Sequence, residues 1–368
     1  MKRTKRSLLG MLIAAVSIAA LLASASCGKT DAPPGGSETP NGGQEVGGEV
    51  NVYNWGEYID ESIFADFEAV TGIRVNYTTF QTNEEMYAAM KLGGTNYDLI
   101  IPSDYMIGRM ISEGMLEKLD LENIPNISLI SSERLTPAYD PTGEYSVPYM
   151  WGTVGLIYNS SMIEGELTSW SALFDPEYSG QILMFDNPRD AFGIALKYLG
   201  YSLNTTSETE LREAYELLAQ QKPILQAYVM DKIFDKLEGG EAAIGPYYAG
   251  DYLTMRENNP DLRFVLPGEG SNVFTDAMCI PKGAANKENA EKFINFMTST
   301  DVSAANMDMT GYASPNDEAA EIYGEELDED GYAAMFPPDD VLARCEPFLN
   351  LPEETLSLYD SLWVELKS

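Results

Sequence analysis

Residues 50–104 read VNVYNWGEYIDESIFADFEAVTGIRVNYTTFQTNEEMYAAMKLGGTNYDLIIPSD, and the changing hydrophobic period along them decides the fold. Val50 to Trp55 is a short strand-like run. Ile63, Phe64, Phe67 and Val70 then recur at helical spacing after Asp60, which can cap a helix, and Gly72 offers a stop. Ile73 to Thr79 alternates as a second strand, another helix follows Asn83, and Tyr97 to Ile101 gives a third strand running into Pro102, Ser103 and Asp104. Strand, helix, strand, helix, strand predicts an α/β domain on a largely parallel sheet. Ligands of such sheets sit outside the carboxyl ends of the strands, where Trp55 and Ser103 fall.

Downstream, Val147 to Tyr158 predicts a long strand, interrupted by Gly152 and Gly155, that carries the chain toward a second domain. Ile182 to Phe185 and Ala242 to Tyr247 read as strands and Ala191 to Tyr201 as a helix. Phe264 to Leu266 leads through a Gly-rich bend to Ala277, Met278, Cys279 and Ile280. Asn289 to Met297 is amphipathic, and Pro352 to Leu366 places Leu356, Tyr359 and Trp363 on one helical face. The chain from Val50 onward exceeds one typical core and suits two domains of about 150 residues each.

Ahead of this body stands an export signal, residues 1–26. Lys2, Arg3, Lys5 and Arg6 precede an uncharged apolar stretch from Leu8 to Ala23 that is too short for a permanent span. Ser24, Ala25 and Ser26 then lead to Cys27. This resembles a lipoprotein processing box, in which the cysteine becomes the diacylated first residue of the mature chain; Ser24 departs from the usual Leu. An ordinary secretory signal with an incidental cysteine is the other reading. Two acyl chains suffice for a stable membrane hold. Residues 28–49, GKTDAPPGGSETPNGGQEVGGE, cannot bury enough apolar area to offset ordering, so 27–49 reads as a flexible tether with a reach of roughly 25 Å.

Removing the four basic residues of the signal leaves 19 basic against 58 acidic residues, a net of −39. Such a chain repels phosphate backbones and anionic headgroups, which counts against nucleic acid as a partner, and it gathers small cations. Most of these carboxylates are solvated surface. Histidine is absent, which removes the usual triad base and the commonest neutral metal ligand, so neither a catalytic set nor a metal site is expected. Cys279 and Cys345 remain after Cys27; the compartment permits a disulfide between them without requiring one. Asp317 to Asp330 carries eight acidic residues and no basic one, lacks the calcium-loop pattern, and reads as a solvated acidic face.

Most of the 22 Tyr, 13 Phe and 4 Trp are expected to be packing residues, so only those beside carboxylates and strand ends carry information. Trp55, Glu57 and Tyr58 form one such group, Ser103, Asp104 and Tyr105 a second, and Phe274 with Asp276 a third. An aromatic face attracts an ammonium by about 0.5 to 2 kcal/mol, and a charge-assisted hydrogen bond adds about 1.5 to 3 kcal/mol. Asn187 is a good helix cap, Pro188 suits the first helical position and Asp190 the third. Capping explains that segment as well as binding does, and the two roles can coexist.

The motifs YNWGEYID, NEEMYAAMKLG, YDLIIPSDYM, SVPYMWGTVGLIYN, TSWSALFDPEYSG and DAMCIPKGAANKENAEKFINF resemble, in order, the periplasmic spermidine/putrescine-binding proteins of ABC transporters. The resemblance runs from Asn51 to the C-terminus. It implies a two-lobed periplasmic-binding-protein fold of type II, with lobe one from residues 50–152 with 275–330 and lobe two from 153–274 with 331–368. It also implies a monomer without cofactor that hands a polyamine to a permease and ATPase complex at the outer face of the cell membrane. Carried over position by position, it gives Trp55 and Tyr58 as ring walls, Glu57 as an amine contact, and Ser103 and Tyr105 from PSDY. Asn187 and Asp190 stand where the family has two carboxylates, Tyr248 and Phe274 where it has tryptophans, and Asp276 and Tyr312 keep the family types. A further position, a glutamine in the family, falls near Phe348. The missing carboxylate leaves the choice among putrescine, spermidine and related amines open.

Three other readings compete. A binding protein for a sugar or amino acid would use the same rings, with Arg189 or Arg344 meeting a carboxylate. A glycosidase would need one carboxylic acid of raised pKa at a set distance from a second. A surface sensor would bind the same solute without feeding a permease.

Overall fold

The computed structural model describes residues 47–93 and 96–368, so the export signal, Cys27 and nearly all of the expected tether lie outside the described residues. The body begins slightly earlier than the composition suggests. Gly47 donates its N–H to Gly72 O at 2.7 Å, and Glu49 is already in the first strand, where its carboxylate accepts from Arg74 at 2.7 Å.

Among the described residues nine strands form one sheet. They are β1 (Glu49–Trp55), β2 (Arg74–Phe80), β3 (Leu99–Ile100), β4 (Ser146–Asn159), β5 (Ile182–Phe185), β6 (Leu225–Val229), β7 (Ile244–Tyr248), β8 (Leu262–Val265) and β9 (Val273–Cys279). The order is β2-β1-β3-β9-β4-β7-β5-β6, with β8 also paired to β4. β1 runs parallel to β2 and β3, as the opening segment predicts, whereas β9 is antiparallel to both β3 and β4. β4 is shared: Ser146 to Thr153 pairs with β9, and Val154 to Asn159 pairs with β7 and β8.

The helices cover the faces of this sheet. α1 (Ile63–Thr71), α2 (Asn83–Leu92) and α3 (Asp104–Ser112) alternate with β1 to β3, and α4 (Pro188–Tyr198), α5 (Glu208–Gln221), α6 (Lys232–Glu238) and α7 (Ala249–Asn258) alternate with β5 to β8. After β9 come α8 (Lys287–Met297), α9 (Thr300–Thr310), α10 (Asp317–Gly324), α11 (Glu329–Met335), α12 (Asp339–Leu342) and α13 (Glu353–Lys367). One apolar core gathers Val52, Phe67, Ile101, Phe293 and Ile294, and a separate one gathers Leu156, Trp170, Phe192, Leu218 and Tyr359.

Several boundaries move for local reasons. The first residue before α1 is Ser62, while Asp60 sits outside the helix and accepts the Ser62 N–H at 2.9 Å. α4 starts at Pro188, three residues earlier than the apolar periodicity alone indicates, because Asn187 caps it. β4 is unbroken through Gly152 and Gly155. A Cβ on Gly155 would lie 2.2 Å from the Phe264 ring, so the glycine makes room for a neighbour without ending the strand. The acidic run 317–330 forms α10 and the start of α11, with Asn316 and Asp328 as caps and acidic residues in both first turns, where the helix dipole favours them.

Candidate functional site

The site is built on strand ends. β1 finishes at Trp55, and a turn in which Glu57 takes the left-handed φ of 51° returns Tyr58 to the interior. The Tyr58 hydroxyl donates to Asp276 Oδ2 at 2.7 Å, and the Tyr149 hydroxyl donates to the Tyr58 carbonyl at 2.7 Å, so both the ring and the backbone of Tyr58 are fixed. Asp276 lies on β9, bridged to Ser103 across the sheet. Its Oδ1 is buried without a partner. Burial pushes the Asp276 carboxyl up to about 6, against the neighbouring Ser103 and Tyr58 side chains, which pull the other way.

Asn83, at the start of α2, organises the neighbouring turn. Its Oδ1 accepts from the Ser103 N–H at 3.1 Å, and its Nδ2 donates to both Ser103 Oγ and the Tyr105 hydroxyl at 3.1 Å. Tyr105 in turn donates to Glu84 at 3.0 Å. Asp104 is buried, and its Oδ2 has no partner. Desolvation holds that carboxyl well above the usual range, with the charge of Asp276 adding to it and Tyr105 N–H opposing.

A run of rings leads away from Asp276. Tyr58 meets Tyr312 edge to face with centroids 5.7 Å apart, Tyr312 meets Phe274 at 5.7 Å, and Phe274 meets Tyr248 at 5.5 Å. Edge-to-face contacts at these separations are favourable. Two glycines admit the run. A Cβ on Gly152 would stand 2.9 Å from Phe274 Cζ and 3.2 Å from Tyr312 Cδ1, and one on Gly250 would stand 2.9 Å from the Tyr312 ring. Tyr312 then donates its hydroxyl to Asp251 Oδ2 at 2.8 Å. Burial pushes the Asp251 carboxyl up to about 7; Tyr312 opposes this and the charge of Asp231 adds to it.

At the start of α4, Asn187 accepts the Asp190 N–H at 2.9 Å through Oδ1 and donates Nδ2 to Asp190 Oδ2 at 2.7 Å. Capping and fixation of the carboxylate are thus one arrangement. Burial raises the Asp190 carboxyl to about 6 against Asn187 and Arg189. Arg189 is parked over the Phe348 ring at 4.5 Å, and Phe348 shares a small cavity wall with Asp190. The Tyr248 hydroxyl is pushed up by burial first, with the charges of Asp190, Asp251 and Asp276 adding to it.

The structure therefore joins Tyr58, Ser103, Tyr105, Tyr248, Phe274, Asp276 and Tyr312 by bonds, a bridge or ring contacts, while Asn187 and Asp190 are bonded to each other at the start of α4. Trp55 is adjacent, its ring 4.6 Å from Phe80 and its Nε1 buried without a partner. Glu57 stands apart from this network, exposed at the turn. Asp251 and Asn83, bonded to Tyr312 and to Ser103 and Tyr105, are residues of this network that the sequence reading did not pick out. Gly250 immediately before Asp251 was the available signal, since a glycine in a helical first turn often marks a close approach. Among the described residues no group of three or more His, Cys, Asp or Glu could hold a metal ion, and Cys279 and Cys345 are free thiols.

The profile of the bacterial extracellular solute-binding protein family matches residues 62–334. The chain is a bacterial extracellular solute-binding protein. This solute-binding protein is 35% identical over 318 residues to the spermidine/putrescine-binding periplasmic protein of Salmonella typhimurium, covering 86% of this chain and 90% of the relative. The structure of the spermidine/putrescine ABC transporter substrate-binding protein from Streptococcus pneumoniae superposes with a TM-score of 0.79 at 36% identity, covering 87% of this chain and 98% of the other. A putative spermidine/putrescine ABC transporter protein from Listeria monocytogenes gives 0.78 at 39% identity, with coverage of 87% and 98%. The fold of the solute-binding protein is thus the two-lobed α/β fold of the periplasmic binding proteins, and its relatives are binding components of transporters.

Proposed function

We propose that this solute-binding protein captures a short polyamine between its two lobes and delivers it to an ABC importer. One observation carries the reading. Asp276 and Asp251 are each held by a tyrosine hydroxyl, from Tyr58 and Tyr312, whose rings touch edge to face; among the described residues neither carboxylate is in a salt bridge with a Lys or Arg. Enclosed carboxylates of raised pKa without a protein cation are stabilised by a ligand that supplies one, and the ring walls suit the methylene spacer between two nitrogens. Trp55, Glu57, Tyr58, Ser103, Tyr105, Asn187, Asp190, Tyr248, Phe274, Asp276 and Tyr312 form the proposed contact set, to which Asp251 is added. Since Asn187 is neutral and already engaged with Asp190, the arrangement favours a diamine such as putrescine over a triamine.

The lobe limits proposed are residues 50–152 with 275–330 and 153–274 with 331–368. The protein acts as a monomer, anchored through a diacylated Cys27 at the outer face of the membrane and tethered by the residues that follow. Calorimetric titration of the purified body with putrescine, cadaverine, spermidine, spermine and a neutral sugar tests the ligand. Putrescine heat with little response to sugar supports the reading; absence of heat and of thermal stabilisation with every amine overturns it. Membrane fractionation of cells carrying Cys27→Ser tests the anchor, with release of the protein from the membrane fraction expected.

A further inference from the structure

Three segments pass between the two cores side by side. Val154 of β4 donates its N–H to Asn272 O at 3.1 Å, Glu346 donates its N–H to Ser271 O at 2.9 Å, and Val273 donates its N–H to Glu346 O at 3.1 Å. Asn272 Nδ2 adds a bond to the same Glu346 carbonyl at 3.2 Å. At this junction the Glu346 carboxylate is gripped by Lys197 Nζ at 2.8 Å and by Ser202 Oγ. The Lys197 side chain is only 11% exposed and that of Glu346 29%, so this pair differs from the screened surface pairs elsewhere on the molecule.

The two ends of this junction lead to the proposed ligand. Lys197 is two turns further along α4 than Asp190, about 10 Å along the helix axis. Glu346 is bonded to Val273, and β9 runs from Val273 to Asp276 in three residues. Asn204 fastens the same return segment, donating Nδ2 to Pro347 O and accepting from the Leu349 N–H, both at 2.8 Å. One stiff path therefore connects Asp190 to Asp276 through the ion pair.

We infer that Lys197 and Glu346 are positioning residues for capture: their ion pair sets the separation between the carboxylates of α4 and β9, and thereby the ligand length that fits. Neither residue belongs to the ring and carboxylate network. The inference rests on the amine-binding reading proposed above, which enters its test separately.

The test is calorimetric titration with linear diamines of three, four, five and six carbons against the wild type, Glu346→Gln, Lys197→Met and Lys197→Arg, with thermal midpoints measured for each. The wild type shows one preferred length. Loss of the pair in Glu346→Gln or Lys197→Met weakens the best diamine by about tenfold and flattens or shifts the length preference, as expected when a coupled element is loosened. Lys197→Arg, which keeps the charge-assisted bond, retains the wild-type preference. An unchanged length profile in folded Glu346→Gln and Lys197→Met, whether affinity falls uniformly or stays the same, overturns the inference while leaving amine binding intact. A wild type that binds no diamine at all overturns the amine reading and the inference with it.

Discussion

The Tyr58 hydroxyl donates to one oxygen of Asp276 at 2.7 Å and leaves the other oxygen buried without a partner. The carboxylate is thus oriented by the protein, and the proposed ammonium would take the remaining oxygen. Asp276→Asn keeps the shape and removes the charge. Affinity for a diamine is expected to fall by about 1.5 to 3 kcal/mol, or roughly ten- to a hundredfold, the range of a hydrogen bond to a charged group. Titration calorimetry reads this directly, and unchanged affinity would remove Asp276 from the contact set.

Ligand binding should depend on pH through the raised carboxyls. Asp276 and Asp190 stand at about 6 and Asp251 at about 7, all above their ordinary value because of burial. An ammonium needs the ionised forms, while the amine itself stays protonated across this range. Affinity is therefore full above about pH 8 and falls as the pH drops through 7 and 6, with proton release on binding in that window. The stability of the ligand-free protein moves oppositely. A carboxyl whose folded pKa is raised disfavours the folded state once ionised, so its contribution improves as the pH falls from 7 toward the unfolded value near 4. The thermal shift produced by putrescine should consequently be larger at pH 8 than at pH 5.5. A shift that is larger at pH 5.5 contradicts the assignment of these carboxyls to the ligand.

Gly152 decides where the ring wall stands. A methyl group there meets Phe274 at 2.9 Å and Tyr312 at 3.2 Å, and the two rings also contact each other, so neither can retreat without moving the other. Gly152→Ala is expected to cost about 1 to 3 kcal/mol of stability, as overpacking does. Diamine affinity should fall with it, because Tyr312 is displaced from Asp251. Thermal melts and titration of the same variant separate the two effects, and full affinity in a destabilised protein would mean that the wall adjusts freely.

What the sequence made legible follows from how local each feature is. The parallel β1 to β3 unit was readable because each element carries its own period within a few residues, and Trp55 and Ser103 followed from it as strand ends. Asn187 was readable as a cap, and the cap turns out to fix Asp190 as well. The unbroken β4 was less readable, since the purpose of Gly152 and Gly155 lies in rings more than a hundred residues away. Asn83 and Asp251 were hidden for the same reason. Asn83 acts on a turn twenty residues later, and Asp251 meets Tyr312 where the two backbones pass so closely that a Cβ on Gly250 would stand 2.8 Å from Gly311 O.

Two carboxylates, Asp190 on α4 and Asp251 on α7, can meet the second nitrogen of a diamine, and their roles differ. Asp190 is fixed by Asn187 Nδ2, and burial raises its pKa against Asn187 and Arg189. Asp251 takes the Tyr312 hydroxyl and is raised by burial, with the charge of Asp231 adding to it. An ammonium stabilises the ionised form of either. Because the Asp190 to Asp276 separation is the one inferred to set ligand length, Asp190→Asn should weaken putrescine by about tenfold or more and flatten the length preference, whereas Asp251→Asn lowers affinity with the preference kept, when both are titrated at pH 8, where each wild-type carboxyl is ionised. The opposite outcome would assign the second nitrogen to α7 and leave Asp190 a fixed cap of α4.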